Sequence, residues 1–235
     1  TATILSDASY EGLGGYSVEL AYRWRLSRQD LVDCGFDMRV LEDGSSEPSI
    51  DAQGLHINTL ELLAIIINLW MALSRVKAAG RILGGHIISV LADNTTALSW
   101  MKYAAQSHRL PVRRLSRFTS ALTIFAGADC QLIGTHIPGK DNVGADALSR
   151  LSIYPTWASA TSACFQLGQC QAFHVKRELL CVLSSISSLP WTGEPFEQLT
   201  MRFVNLGLTT LPTGYNDTGL NTSLLKRSHR TKRCR

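Results

Sequence analysis

Four carboxylates, Asp7, Glu61, Asp93 and Asp146, are spread over 140 positions of a 235-residue chain. They occur in TILSDASY, INTLELLAI, ISVLADNTTALSW and NVGADALSR, stretches whose neighbouring residues should be buried. A carboxylate taken out of water without a partner is costly, and several brought together repel. A multivalent cation relieves both costs, and hard cations such as magnesium take oxygen ligands. Four carboxylates around two magnesium ions form a device for cutting phosphodiester bonds. Two of the four have ordinary alternatives. Glu61, near a helix start, gains ~0.3–1 kcal/mol from the helix dipole, and Asp93 can cap a helix beginning at Thr95. Asp7, in a strand where Asp is depleted, and Asp146, inside a short helix, are harder to explain that way.

The elements that must position these acids can be read from periodicity. Ala2 to Ala8 alternates as a strand; Gly12-Leu13-Gly14-Gly15 reads as a turn, and Tyr16 to Leu26 as a returning strand. A third strand is expected near Phe36 to Leu41, before a Ser-, Asp- and Gly-rich loop. Asn58 opens a helix to about Ala79, with Glu61 at capping-box spacing. His86 to Leu91 is an Ile/Val-rich strand suited to a central position, and Thr95 to Ala105 the next helix. Pro111 starts another helix, to about Ala126. Cys130 to Ile137 is a last strand and Val143 to Leu151 a short helix, giving the order βββαβααβα.

With SDAS, NTLE, ADN and HIPGKDNVGADALSR in this order, residues 2 to 151 resemble the ribonuclease H domain of retroelement reverse transcriptases, in particular gypsy-type and DIRS-like elements. The resemblance implies an α/β, ribonuclease H-like fold: a mixed five-stranded sheet with helices on both faces. It also implies hydrolysis of the RNA strand of an RNA–DNA hybrid with two Mg2+ ions, Mn2+ being a possible substitute. Asp7 would bridge both ions, Glu61 and Asp93 bind one, and Asp146 complete the other. Related exonucleases place a Glu two residues after the first Asp, where this chain has Ser9; integrases and transposases end in a Glu rather than an Asp.

Substrate contacts implied by the same resemblance involve Ser9 and Gly12, whose segment carries amides that could approach a phosphate, and Asn94 and Thr95 beside Asp93. Asn58 matches a family Asn that reaches the minor groove near a 2′-hydroxyl, the group that distinguishes RNA from DNA; capping its own helix is the equal alternative. Asn142 matches another family Asn, with a turn-stabilising role as the alternative. His136 has the spacing of a mobile family His but precedes Pro138, so it reads as structural, and Lys140 falls nearer the mobile position. Lys102, His108, Arg109, Arg113, Arg114 and Arg117 form either a basic handle for the hybrid or a solvated face.

Length and composition bound the rest. Six of the 23 basic residues lie in the last ten positions; without them, 17 basic residues face 19 acidic ones. The body is therefore slightly acidic and the tail basic. Six cysteines show no metal-type spacing and read as reduced, mostly buried thiols. No uncharged apolar run reaches the ~18 residues of a membrane span, and no membrane association is expected. The expected division is a ribonuclease H-like domain over 1–151, a helical linker or the start of a downstream module over 152–208, and a disordered basic tail over 209–235. Starting at Thr1, the chain reads as a fragment of a longer polyprotein or a truncated gene product; the resemblance implies the polymerase domain as partner and a location inside the cell, in cytoplasm or nucleus. The alternatives are a catalytically inactive module that binds nucleic acid, or a fragment leading into a tyrosine recombinase.

Overall fold

A computed structural model describes residues 2–26, 29, 33–34, 56–78, 86–103, 110–125, 130–187, 196–206 and 209–210. The expected strand near 36–41 and the tail beyond 210 lie outside them.

Three strands open the chain: β1 (Ala2–Ala8), β2 (Gly12–Tyr16) and β3 (Leu20–Arg25). Helix α1 (Ile57–Ala78) leads to β4 (His86–Ala92), then α2 (Thr95–Lys102) and α3 (Leu110–Phe125). Strand β5 (Cys130–His136) and a 3-10 turn (Gly139–Asp141) precede α4 (Val143–Ser149). Beyond it follow α5 (Trp157–Ala163), α6 (Phe165–Gly168), β6 (Gln171–His174), α7 (Arg177–Ser187), α8 (Phe196–Asn205) and β7 (Thr209–Thr210).

The sheet runs β5-β4-β1-β2-β3-β6-β7. β1, β2 and β3 are antiparallel neighbours, whereas β4 and β5 run parallel to β1. The sheet is mixed, as expected, but its third strand is Leu20–Arg25 and not the one expected near 36–41, and β6 and β7 carry it to seven strands where five were expected. β4, rich in Ile and Val, sits between β1 and β5 as its composition requires. Alternation along β1 sends Ile4 to one face and Leu5 to the other. The first face packs against α1, α2, α3, α7 and α8, and the second against α4 and α5. α1 is apolar on all sides and buried from Thr59 to Met71, as a helix without a polar face must be. By length and composition Ile57–Arg75 could cross a membrane, but 78% of that window is buried inside the protein, as a core helix.

Two expectations fail here. The glycine cluster is not a turn; Gly12 to Tyr16 is strand β2, and the chain reverses at Ser17 to Glu19. These glycines serve close approach rather than turn chemistry. A Cβ on Gly14 would meet the Leu148 Cβ at 2.5 Å, and one on Gly15 would meet the Tyr22 ring at 2.7 Å. Helix α4 therefore lies directly on the β2 backbone.

The second concerns residues after Leu151. In place of a linker, described residues of this stretch share the main core. β6 extends the sheet in parallel beside β3, pairing Leu20 with Gln171 and Ala21 with Ala172. Phe173 stacks at 5.6 Å from Tyr22 and 5.9 Å from Trp70. Phe203 lies 4.8 Å from Phe118, edge on, and its carbonyl accepts a bond from Trp70 Nε1 at 3.0 Å. The aromatic series thus joins β3, β6, α1, α8 and α3. No local sequence signal announced it, because α7 and α8 are short amphipathic helices whose partners lie far back along the chain.

Candidate metal centre

Parallel register decides where the first and third acids meet. β1 pairs with β4 through Leu5 and Leu91, and two residues further along each chain stand Asp7 and Asp93. Glu61 reaches the same point from α1, which packs across both β1 and β2. Carboxylate oxygens of Asp7, Glu61 and Asp93 all lie within 4.8 Å of one another. Asp7 and Glu61 are each only 4% exposed.

Burial pushes the Asp7 carboxyl up to about 7, against a lowering hydrogen bond from Ser149; the charges of Asp93 and Asp146 push it up too. Burial likewise pushes Glu61 up to about 9, helped by Asp7 and Asp93 and opposed by a bond from the Ala8 amide. Glu61 Oε2 is buried and accepts no hydrogen bond. Neither alternative for the acids survives. Glu61 points into the cluster instead of capping α1, whose first amide bonds go to His56, and the cap of α2 is Asn94, whose side chain accepts from the Ala97 amide.

Asp146 is the exception among the four. It lies in α4, its side chain 29% exposed, in an ion pair with Arg150 one turn on. Its charge reaches Asp7, but its carboxylate is not one of the three that meet. The guanidinium offers it an opposite charge, whereas moving inward would add a fourth carboxyl group to the cluster.

Ser149 was given no role by the sequence, and the structure gives it one. Fully buried, its hydroxyl donates to Asp7 Oδ2 and lies 3.1 Å from the Asp146 carbonyl. Its own carbonyl accepts from the Ser9 hydroxyl at 2.8 Å. The clue was its place in the ADALSR segment, three residues after Asp146. Asn68 was also missed. Its amide group donates to the Leu5 carbonyl at 2.7 Å and the Ser6 hydroxyl at 3.0 Å, locking α1 against β1. Asn68 stands seven residues after Glu61, on the same helix face, and was the one other break in the apolar run.

The expected substrate residues divide. Asn58 accepts from the Asn94 side chain at 2.9 Å, so the two form a unit beside Asp93. Thr95 is exposed at the start of α2. Lys140 is exposed in the 3-10 turn, next to Gly139, where a Cβ would stand 3.0 Å from Asp93 Oδ2. His136 is exposed at the end of β5. Two expectations need correction. Asn142 is fully buried and donates to the Ser6 carbonyl at 3.1 Å, which makes it part of the framework. The amides of Glu11 and Gly12 already bond the Ser9 hydroxyl and that of Ser9 the Gly12 carbonyl, so these three are committed internally.

Two predictions arise from this geometry. Ser149→Ala leaves Asp7 without its donor, and the apparent affinity for Mn2+ should fall ~10–100-fold while the fold persists; calorimetric titration with circular dichroism would check it, and unchanged affinity would remove Ser149 from the site. The second concerns pH. The folded chain holds protons on Asp7 and Glu61 that the unfolded chain, at ordinary values of 3.8 and 4.5, releases. The stability from these protons is fully present below about pH 4 and is lost as pH rises through about 7 and then about 9. Melts without divalent cations should show falling stability from pH 5 to 9, with Mg2+ restoring more at each step. A flat metal-free profile would contradict the buried cluster.

Fold and site together define the class: a mixed α/β protein with an acidic centre at the ends of its parallel strands. No family model matches the chain, and no curated protein does. Among solved structures, the chain is similar to RNase H1 from the halophilic archaeon Halobacterium salinarum, at 16% identity and a TM-score of 0.40, over 64% of this chain and 96% of that one.

Proposed function

We propose that this chain is a metal-dependent nuclease that hydrolyses the RNA strand of RNA–DNA hybrids during retroelement replication. The convergence of Asp7, Glu61 and Asp93 within 4.8 Å carries the proposal. The donor set fits a hard divalent cation: three carboxylates, two of them buried and pushed toward protonation, one with an orphaned oxygen. Bound Mg2+, or Mn2+ in its place, lowers the pKa of a coordinated water and offsets charge at the scissile phosphate. Asp7, Glu61 and Asp93 would hold it. Ser149 fixes the rotamer of Asp7 through their hydrogen bond. Asp146 would join as ligand to a second ion by giving up Arg150. The Asn58–Asn94 pair offers amide groups to a 2′-hydroxyl, and exposed Lys140 a positive charge to a phosphate. The gypsy-type or DIRS-like context, a polymerase domain as partner and an intracellular site of action belong to the same reading.

The test is cleavage of a labelled hybrid with Mg2+ by the chain and by its Asp93→Asn variant. Cutting by the first alone is expected, and equal cutting by both would reject the assignment. One observation favours a second reading: Asp146 is paired with Arg150 outside the trio, as in a module that binds hybrids without cutting them. Hybrid retention without cleavage, at any Mg2+ or Mn2+ concentration, would select that reading.

A further inference from the structure

Two thiols far from the acidic centre face each other. Cys34, buried, follows β3 at the start of the long connection to α1; Cys181, half-buried, lies on α7. Their sulfurs are 3.4 Å apart, with Cys181 donating, and 147 positions separate them in the chain. The same two segments are held by a second contact: Arg177, one turn before Cys181, pairs with Asp33 at 2.9 Å. Asp33 is held in turn by the Gln29 amide at 2.5 Å. The guanidinium of Arg177 also hydrogen-bonds Cys34. None of the five described cysteines is in a disulfide.

We propose that Cys34 and Cys181 form a redox-active dithiol that a small-molecule disulfide converts into a crosslink between the post-β3 segment and α7. A bond needs the sulfurs to close from 3.4 Å to about 2 Å. Exposure orders the steps. The Cys181 thiolate, having lost its proton to solvent, attacks one sulfur of the oxidant and releases the first small thiol. Cys34 then attacks Cys181 Sγ, loses its own proton, and releases the second. Two thiols are oxidised and one disulfide is reduced to two thiols, so atoms and electrons balance. Burial pushes the Cys34 thiol up to about 12, with Cys181 adding to the rise and Arg177 opposing it. Cys34 is therefore the resolving partner, and the guanidinium beside it stabilises its thiolate as that forms.

Crosslinking residues so distant in sequence constrains the unfolded chain strongly, and for a protein of this size the melting temperature should rise by about 10 °C. The experiment equilibrates the full chain in glutathione buffers from fully reduced to fully oxidised, blocks remaining thiols with an alkylating reagent, and maps the products by mass spectrometry. Cys34 and Cys181 are expected to leave the alkylatable pool together, in one linked peptide pair, reversibly, in a chain two hydrogens lighter that melts higher. Cys181→Ser should lose the linked pair, and Cys130→Ser should keep it. Persistence of both thiols in excess oxidised glutathione, separate glutathione adducts on each, or linkage to other cysteines would overturn the proposal. None of these readouts depends on nuclease activity.

Discussion

Replacing Glu61 with Gln should make the metal-free chain melt about 5–10 °C higher at pH 7 and lower Mg2+-dependent hybrid cleavage at least about a hundredfold. In the wild-type chain the Glu61 carboxyl, ordinarily 4.5, is held at about 9, so folding at pH 7 requires it to take up a proton. That uptake costs about 3 kcal/mol. Gln has the same shape, is neutral, and can still accept from the Ala8 amide. The variant is thus relieved of the cost but brings no charge to a cation. With Mg2+ present the order should reverse, because only the wild-type chain gains stability from binding. Differential scanning calorimetry with and without Mg2+, beside a hybrid cleavage assay, measures both arms. A variant that melts lower without metal and still cuts would mean that Glu61 is an ordinary core residue.

Ending the chain after Leu151 should unfold it. The expectation of a linker over 152–208 leads to the opposite result, a trimmed domain that retains activity. Phe173, Phe203, Leu179, Leu180, Leu183 and Leu199 are essentially inaccessible and belong to the same core as α1 and β1. Removing them exposes Trp70, Tyr22 and Phe118 from the other side. Each such side chain contributes about 1.5–3 kcal/mol, and several together exceed the ~5–15 kcal/mol that keeps a domain folded. The Trp70 indole would lose its acceptor as well. Circular dichroism and solubility of the 1–151 fragment decide the matter; a cooperative melt near that of the full chain would show the aromatic series to be dispensable.

What could be read from residues alone follows from the range of the forces involved. The first strand and the elements from α1 to α4 were legible because alternation, apolar runs, Pro111 and the Pro138-Gly139 break are local. The meeting of Asp7, Glu61 and Asp93 was legible from the order of the SDAS, NTLE and ADN motifs, because Glu61 and Asp93 taken singly have ordinary helix-end roles. The pairing of Asp146 with Arg150 was less so, since a one-turn ion pair competes with a distant site and only coordinates decide between them. Gly12 to Gly15 misled because glycine signals both turns and close backbone contact, and Leu148, the residue that discriminates, is more than 130 positions away. Ser149 and Asn142 show the same limit from opposite sides. One polar residue of the terminal segment proved tied to a catalytic candidate, and the other to the Ser6 carbonyl.

The seating of α4 on β2 has a consequence for how such a chain can drift. Leu148 fills the space a side chain on Gly14 would need, and Gly144 lies where a Cβ would strike the Tyr16 ring at 2.7 Å. Mutations that enlarge either partner are admissible only when the other shrinks in step. Related chains should therefore vary at 12–16 and 144–149 as a coupled block, inherited together even where the intervening chain diverges freely.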